Sequence, residues 1–186
     1  MNKIKNFFYL KKLSTKELCT LSLLLAIAVI MGLFFTFRIG NFIKIPTKFI
    51  PISVSSMLFG PLWGGLTGLL ADTFSYLLNP SAGIFMPQIT FVEFLYGFTY
   101  GLFLRYATNS LKSHFKTILC IFLQTIFLHL ILTTYFLVPV VGGNFTSLFV
   151  TRLPAAGINA LLQLIGLFFI IKNSTTLYKI SGGKKQ

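Results

Sequence analysis

Residues 49–72 read Phe49-Ile-Pro-Ile-Ser-Val-Ser-Ser-Met-Leu-Phe-Gly60-Pro-Leu-Trp-Gly-Gly-Leu-Thr-Gly-Leu-Leu-Ala-Asp72. Two apolar runs meet at Gly60-Pro61. The first, residues 48–59, is bounded by Pro46 and Pro51 at one end and is shorter than the ~17 residues a spanning helix needs, so it crosses a bilayer at a slant or is partly re-entrant. In the second, residues 62–78, a spacing of four links Gly60, Gly64, Gly68 and Asp72 on one helix face. Glu93, Gly97 and Gly101 repeat that pattern further on. Small residues so spaced let helix backbones approach closely in lipid, and packing is the reading for the glycines. Carboxylates inside spans cost several kcal/mol and face the bundle interior or a polar cavity. Asp72 and Glu93 are therefore expected to meet either a ligand or a structural cation, Arg105 or Arg152.

Composition places these runs in a membrane. Of 186 residues, 55% are hydrophobic and 10% charged, with mean hydropathy +0.82. A soluble domain carries roughly 25% charged residues, so a soluble enzyme and a disordered chain are both excluded. The expected architecture is an all-α membrane protein with six transmembrane helices: residues 18–37, the short run 48–59, then 62–78, 88–106, 117–138 and 147–171. Around that membrane domain (residues 18–172) lie a basic amphipathic N-terminus (residues 1–17) and a basic tail (residues 173–186). The first run is too long for the apolar part of a signal peptide and lacks a cleavage site, so it reads as a retained span.

Sixteen Lys and Arg against three acidic residues give a formal charge of +13. In a membrane chain this reflects positive-inside loops rather than a nucleic-acid partner. Six spans put both basic ends on the inner side of a plasma membrane, and five would not. The exceptions are Arg38, Lys44 and Lys48, which fall outside, and Arg152, which falls within the last span. Outer cations either touch lipid phosphates or draw in an anionic ligand. The loop carrying them, residues 38–48, is expected to be loosely held and able to close as a lid.

Several chemistries find no residues. No Gly-x-x-x-x-Gly-Lys loop exists to bind ATP. Cys19 and Cys120 lie in apolar runs without a metal-ligating cluster, and His114 and His129 stand alone, so no catalytic set, metal or cofactor is expected. A membrane enzyme of lipid metabolism or a small channel would need polar groups that the spans lack.

The stretch 49–72, with Leu78-Asn-Pro-Ser-Ala-Gly-Ile-Phe-Met-Pro87 and Gly97-Phe-Thr-Tyr-Gly-Leu-Phe-Leu104, resembles the S-components of energy-coupling factor (ECF) transporters, most of all the folate-specific ones. Arg38-Ile39, Phe49-Ile-Pro51-Ile52, Phe59-Gly-Pro-Leu-Trp-Gly64, Gly68 and Asp72, and the Pro80–Pro87 segment fall in the family's order. Ser55, Ser56 and Thr67 replace commoner small apolar residues, and Pro87-Gln88-Ile89-Thr90 departs from a more usual Pro-Gly-Phe-Thr. The resemblance implies a six-helix subunit that binds a vitamin from outside and works with a transmembrane coupling subunit and two ATP-binding subunits. A helix-one face like Ala-x-x-x-Ala, here Ser22 and Ala26, would meet the coupling subunit. The candidate folate-binding residues are Arg38, Lys44, Asp72, Gln88, Glu93, Arg152 and Asn159. Cations suit the ligand's carboxylates, since Arg can hold one bidentately, and a buried carboxylate suits the paired N–H donors of a pterin edge. Another vitamin, such as pantothenate or riboflavin, is the alternative cargo.

Overall fold

The computed structural model describes residues 13–34, 37–39, 43–45, 47–79, 85–105, 110–142 and 144–174, with side chains left out at 37–39, 43–45 and 141. The N-terminal stretch 1–12, the tail beyond 174, the Pro80–Gly83 turn and the side chains of Arg38 and Lys44 therefore lie outside the described residues.

Helix α1 (Thr15–Phe34) is followed by a ribbon of β1 (Phe37–Ile39) and β2 (Ile43–Ile45), then by α2 (Phe49–Phe59), α3 (Pro61–Leu78) and α4 (Pro87–Leu104). A long rod comes next, made of α5 (Leu111–Leu123), a π-helical stretch (Gln124–Leu132) and α6 (Thr133–Val141), and α7 (Phe145–Lys172) closes the bundle. Counting the rod once, the described residues hold six helices in one bundle, as expected. Three of them, α1, the rod over Leu111–Val140 and α7, are long and apolar enough to cross a membrane unaided. Leu111, Phe115, Ile165 and Phe169 stand exposed on their outer faces, which suits lipid and not water. Helix α2 has 11 residues and rises about 16 Å, half the apolar core of a bilayer.

The ends of α1 depart from the span read at 18–37. Ser14 and Glu17 cap each other's backbone N–H groups (Ser14 N to Glu17 Oε2, 2.9 Å; Glu17 N to Ser14 Oγ, 3.4 Å), a reciprocal capping box that starts the helix early. At the other end the backbone leaves the helix at Phe34, because Phe37 pairs with Ile45 and Ile39 with Ile43 across an antiparallel ribbon. Aromatic and β-branched residues suit such a ribbon. The loop read as loosely held is thus partly paired, and β2 lies against α7.

Gly60 organises the next two helices. Its φ of 96° is a left-handed conformation that glycine adopts without penalty, and Pro61 opens α3 immediately after it. The chain folds back on itself there, so residues equally distant from Gly60 come level. Ser56 lies against Gly64, four positions to either side. Lys48 lies against Asp72, twelve positions to either side.

Helices α3 and α4 cross through the glycines. A Cβ on Gly97 would strike the Gly64 carbonyl, one on Gly68 the Glu93 carbonyl, and one on Gly101 the Pro61 backbone. The packing reading therefore holds for both faces. Ser56 adds a polar stitch: its hydroxyl stands 2.7 Å from the Ile52 carbonyl and 2.8 Å from that of Gly97, sharing one proton between them. Ser53 and Ser55 donate back to Ile50 and Ile52, and Thr67 to Trp63, so the hydroxyls that depart from the family's apolar residues are satisfied locally.

Gly97→Ala tests the crossing. It is expected to destabilise the protein by about 2 kcal/mol or more, because backbone rather than a flexible side chain must yield. Gly157 has open space around its Cβ position, and Gly157→Ala should be neutral or stabilising. Thermal unfolding of the two variants in detergent checks the contrast, and equal effects would show that the crossing is not tight.

Candidate functional site

Chain direction alternates through the bundle, so the turn after α1, the turn between α3 and α4, and the turn before α7 share one end. All the candidate residues but Asn159 gather in that half. Asp72 stands two-thirds of the way along α3, and Thr90 and Glu93 in the first half of α4. Gln88 is exposed in the first turn of α4, and Arg152 lies in the second turn of α7. Asn159 is buried at the middle of α7. Arg38 and Lys44 face each other in register across the ribbon at the same end.

At the centre is an ion cluster. Lys48 places its ammonium 2.7 Å from Asp72 Oδ1 and 3.0 Å from Glu93 Oε1, with side chains 10%, 23% and 19% exposed respectively. The second Asp72 oxygen accepts a 2.9 Å hydrogen bond from Thr90 Oγ1. Thr90 and Glu93 are three residues apart on α4, one helical turn, so the four groups close a ring: Thr90, Asp72, Lys48, Glu93. The Thr47 hydroxyl donates to Met31 O of α1 at 3.5 Å, which fixes the residue before Lys48 against a third helix.

This corrects two expectations. The structural cation for Asp72 and Glu93 is Lys48, neither Arg105 nor Arg152 being the residue that bridges them here. Lys48 is moreover a buried residue and not one of the outer, ligand-drawing cations read from the sequence. The physical reason is the fold-back at Gly60, which carries Lys48 inward to the level of Asp72. Sequence reasoning missed Lys48 and Thr90 as members of the site. The equal spacing about Gly60 was the signal for the first, and the one-turn spacing from Glu93 the signal for the second.

Arg152 sits apart from the ring. Its Nη1 approaches Thr134 Oγ1, at 3.5 Å, and Thr134 itself is fully buried. Pro154, two residues on, has no N–H to donate, so the helix wall beside Arg152 lacks one backbone bond. Across from it runs the π-helical stretch, closed by the Thr133 N–H and hydroxyl at the Leu128 carbonyl, the hydroxyl at 2.7 Å. Gln124 opens that stretch and donates to Thr99 Oγ1 at 2.6 Å and to Tyr96 O at 3.2 Å on α4. π-Helical turns often accompany functional sites, and nothing in the apolar run 117–138 signals this one. On α1, Ser22 and Ala26 are both exposed, so the small-residue face is presented outward.

Residues 16–172 match the family described as the ECF transporter, substrate-specific component, and the chain belongs to that family of membrane-embedded subunits. Among individual relatives, it is 32% identical over 111 residues to the "Folate transporter FolT" of Clostridium novyi (strain NT), a stretch that makes up 60% of this chain and 62% of that protein. A crystal structure of FolT bound with folic acid superposes with a TM-score of 0.75 at 32% identity, covering 87% of this chain and 95% of that one. The S component of a bacterial ECF transporter shares the fold at 23% identity, with a TM-score of 0.67 over 88% of this chain and 98% of that one.

Removing one partner of a buried ion pair leaves an uncompensated charge and costs about 3–5 kcal/mol. Lys48→Met should therefore lower stability by about 3 kcal/mol, since its side chain is nearly enclosed. The paired change Lys48→Met with Asp72→Asn, which removes one charge of each sign, should cost less than Lys48→Met alone. Denaturation curves of the three proteins check the order, and a milder effect of the single change would show the cluster to be solvated.

Proposed function

We propose that this chain captures folate outside the cell and hands it to an energy-coupling module for ATP-driven uptake. The reading rests above all on the gathering of Lys48, Asp72, Glu93 and Arg152, with the backbone of Arg38 and Lys44, in one half of a bundle whose fold a folic-acid-binding protein shares, Asn159 lying at its middle. Arg38, Lys44 and Arg152 suit the two carboxylates of the ligand's glutamate. The Asp72–Glu93 pair suits the 2-amino and N3–H edge of the pterin, with Gln88 and Asn159 as further hydrogen-bonding groups. Aromatic residues supply stacking surface for the rings. The subunit itself carries out no catalysis and uses no cofactor.

The other half of the bundle carries Arg105, Lys112, Lys116 and Lys172, which sets it toward the cytoplasm by the positive-inside rule. N- and C-termini would then both be cytoplasmic, in a bacterial plasma membrane, with the basic stretches 1–17 and 173–186 along its inner surface. The exposed Ser22 and Ala26 face of α1 would receive the transmembrane coupling subunit, and two ATP-binding subunits would complete the transporter. No nucleic acid enters this scheme.

Purification followed by an absorbance spectrum tests the cargo: pterin absorbance is expected in the protein released by denaturation, and a flavin spectrum would favour riboflavin instead. Arg152→Ala should weaken folate binding roughly tenfold to a hundredfold, the range for losing a charged hydrogen bond, while the protein still inserts into the membrane. Calorimetric titration checks this, and unchanged affinity would leave Arg152 with the structural task of holding Thr134. Proteoliposomes containing this chain alone should show no ATP-driven accumulation of folate.

A further inference from the structure

Three half-buried side chains bring together polar groups that the protein itself leaves largely unused. Arg152 of α7 carries a fork of N–H donors, yet among the described residues its one side-chain hydrogen bond is the 3.5 Å contact to Thr134. Tyr96 of α4 and His129 of the π-helical stretch are half-buried too, and among the described residues neither the phenol nor the imidazole makes a hydrogen bond. Backbone geometry draws the three toward one place. The Thr133 N–H closes on the Leu128 carbonyl, a step of five residues where an α-helix steps four. By the same step His129 comes one turn from Thr134, the residue that Arg152 touches. Tyr96 follows Glu93 by one turn of α4, and its carbonyl accepts from Gln124, at the start of the π-helical stretch, at 3.2 Å. The Arg152 charge acts on both the His129 ring and the Tyr96 phenol, and the Glu93 charge acts on that phenol as well.

We propose that Tyr96 and His129 join Arg152 in a clamp for the carboxylate end of the ligand, α4, the π-helical stretch and α7 each giving one group. The inference rests on the folate reading above and deepens it, adding two specificity-determining residues to the Arg152 assigned there. Hydrogen-bond capacity selects the part of the ligand concerned. A carboxylate offers about four lone-pair directions; a guanidinium takes two of them bidentately, and a phenol O–H and an imidazole N–H supply donors for the others. A guanidinium has no acceptor to offer the paired N–H donors of a pterin edge, so that edge is not what the cluster reads. Unmet donors in an apolar surround are costly, and one anion satisfies all three groups at once. Glu93, a turn away from Tyr96, repels a carboxylate and so bounds the clamp on that side.

Calorimetric titration of the full-length protein in detergent tests the clamp, with folic acid and with its diamide, in which both glutamate carboxylates are neutral amides. Wild-type protein is expected to bind the diamide roughly tenfold or more weakly than folic acid. Tyr96→Phe removes one oxygen and keeps the ring, so it should fold as the wild type does. It should weaken folic acid roughly three- to tenfold and change the diamide less than about twofold. His129→Leu should behave in the same way, and His129→Gln, which keeps an N–H donor, should recover most of the lost affinity. In an Arg152→Ala background Tyr96→Phe should cost less than about twofold, because the anion it helps to hold is no longer anchored. Equal binding of the two ligands by the wild type would overturn the clamp. So would unchanged folic acid affinity in either Tyr96→Phe or His129→Leu, or equal losses on folic acid and the diamide, which mark a packing role. If the wild-type protein binds neither ligand, the folate reading fails and the clamp with it. If it binds folic acid and the variants match it, the clamp alone falls.

Discussion

The close approach of α3 and α4 is the constraint on which the rest depends. Where Gly64 meets Gly97, a single methyl group would push the backbones apart. Because they touch, Asp72 on one helix and Glu93 on the other come near enough for one ammonium to reach both. In lipid there is no hydrophobic drive to bring helices together, so contact must come from van der Waals packing and interhelical hydrogen bonds. Here both are present: the glycines supply the fit, and Ser56 reaches from α2 to the Gly97 carbonyl across the same crossing. The ion cluster and the packing residues therefore occupy one continuous surface, and a change in either is felt by the other.

Burying an ammonium between two carboxylates is not an economical route to stability, because desolvation consumes most of the attraction. Its value lies in geometry. Apolar contacts tolerate sliding by an ångström, whereas an ion cluster with hydrogen bonds of 2.7–3.0 Å does not. The cluster therefore fixes the rotation of α3 against α4 and the depth of the chain entering α2. That definition is obtained through Lys48, the last residue of the loop read at 38–48, with Thr47 beside it held to α1.

Much of this was legible in the sequence, and what was not has identifiable causes. Four-residue spacing exposed both glycine faces, since helical periodicity survives any tertiary arrangement. Carboxylates in apolar runs marked Asp72 and Glu93 for the same reason. Lys48 misled because linear position, between two prolines and beside a polar loop, suggests solvent, while its true depth follows from where the chain turns at Gly60. The π-helical stretch at Gln124–Leu132 left no trace, as an i→i+5 bond alters neither composition nor apolar period enough to be seen. The ribbon at 37–45 was hidden by its length: three residues a strand carry too little alternation to read.

The shortness of α2 has a consequence for the electrical landscape of the membrane. The eleven residues of α2 separate Gly60 from Lys48, a rise of about 18 Å from one Cα to the other against the ~30 Å of a bilayer's apolar slab. Three formal charges are thereby held about that far from Gly60, in a bundle whose long helices are apolar enough to cross a membrane and where an isolated ion would be expelled. The helix that is too short to cross thus decides how far along the bundle the buried charges stand from Gly60.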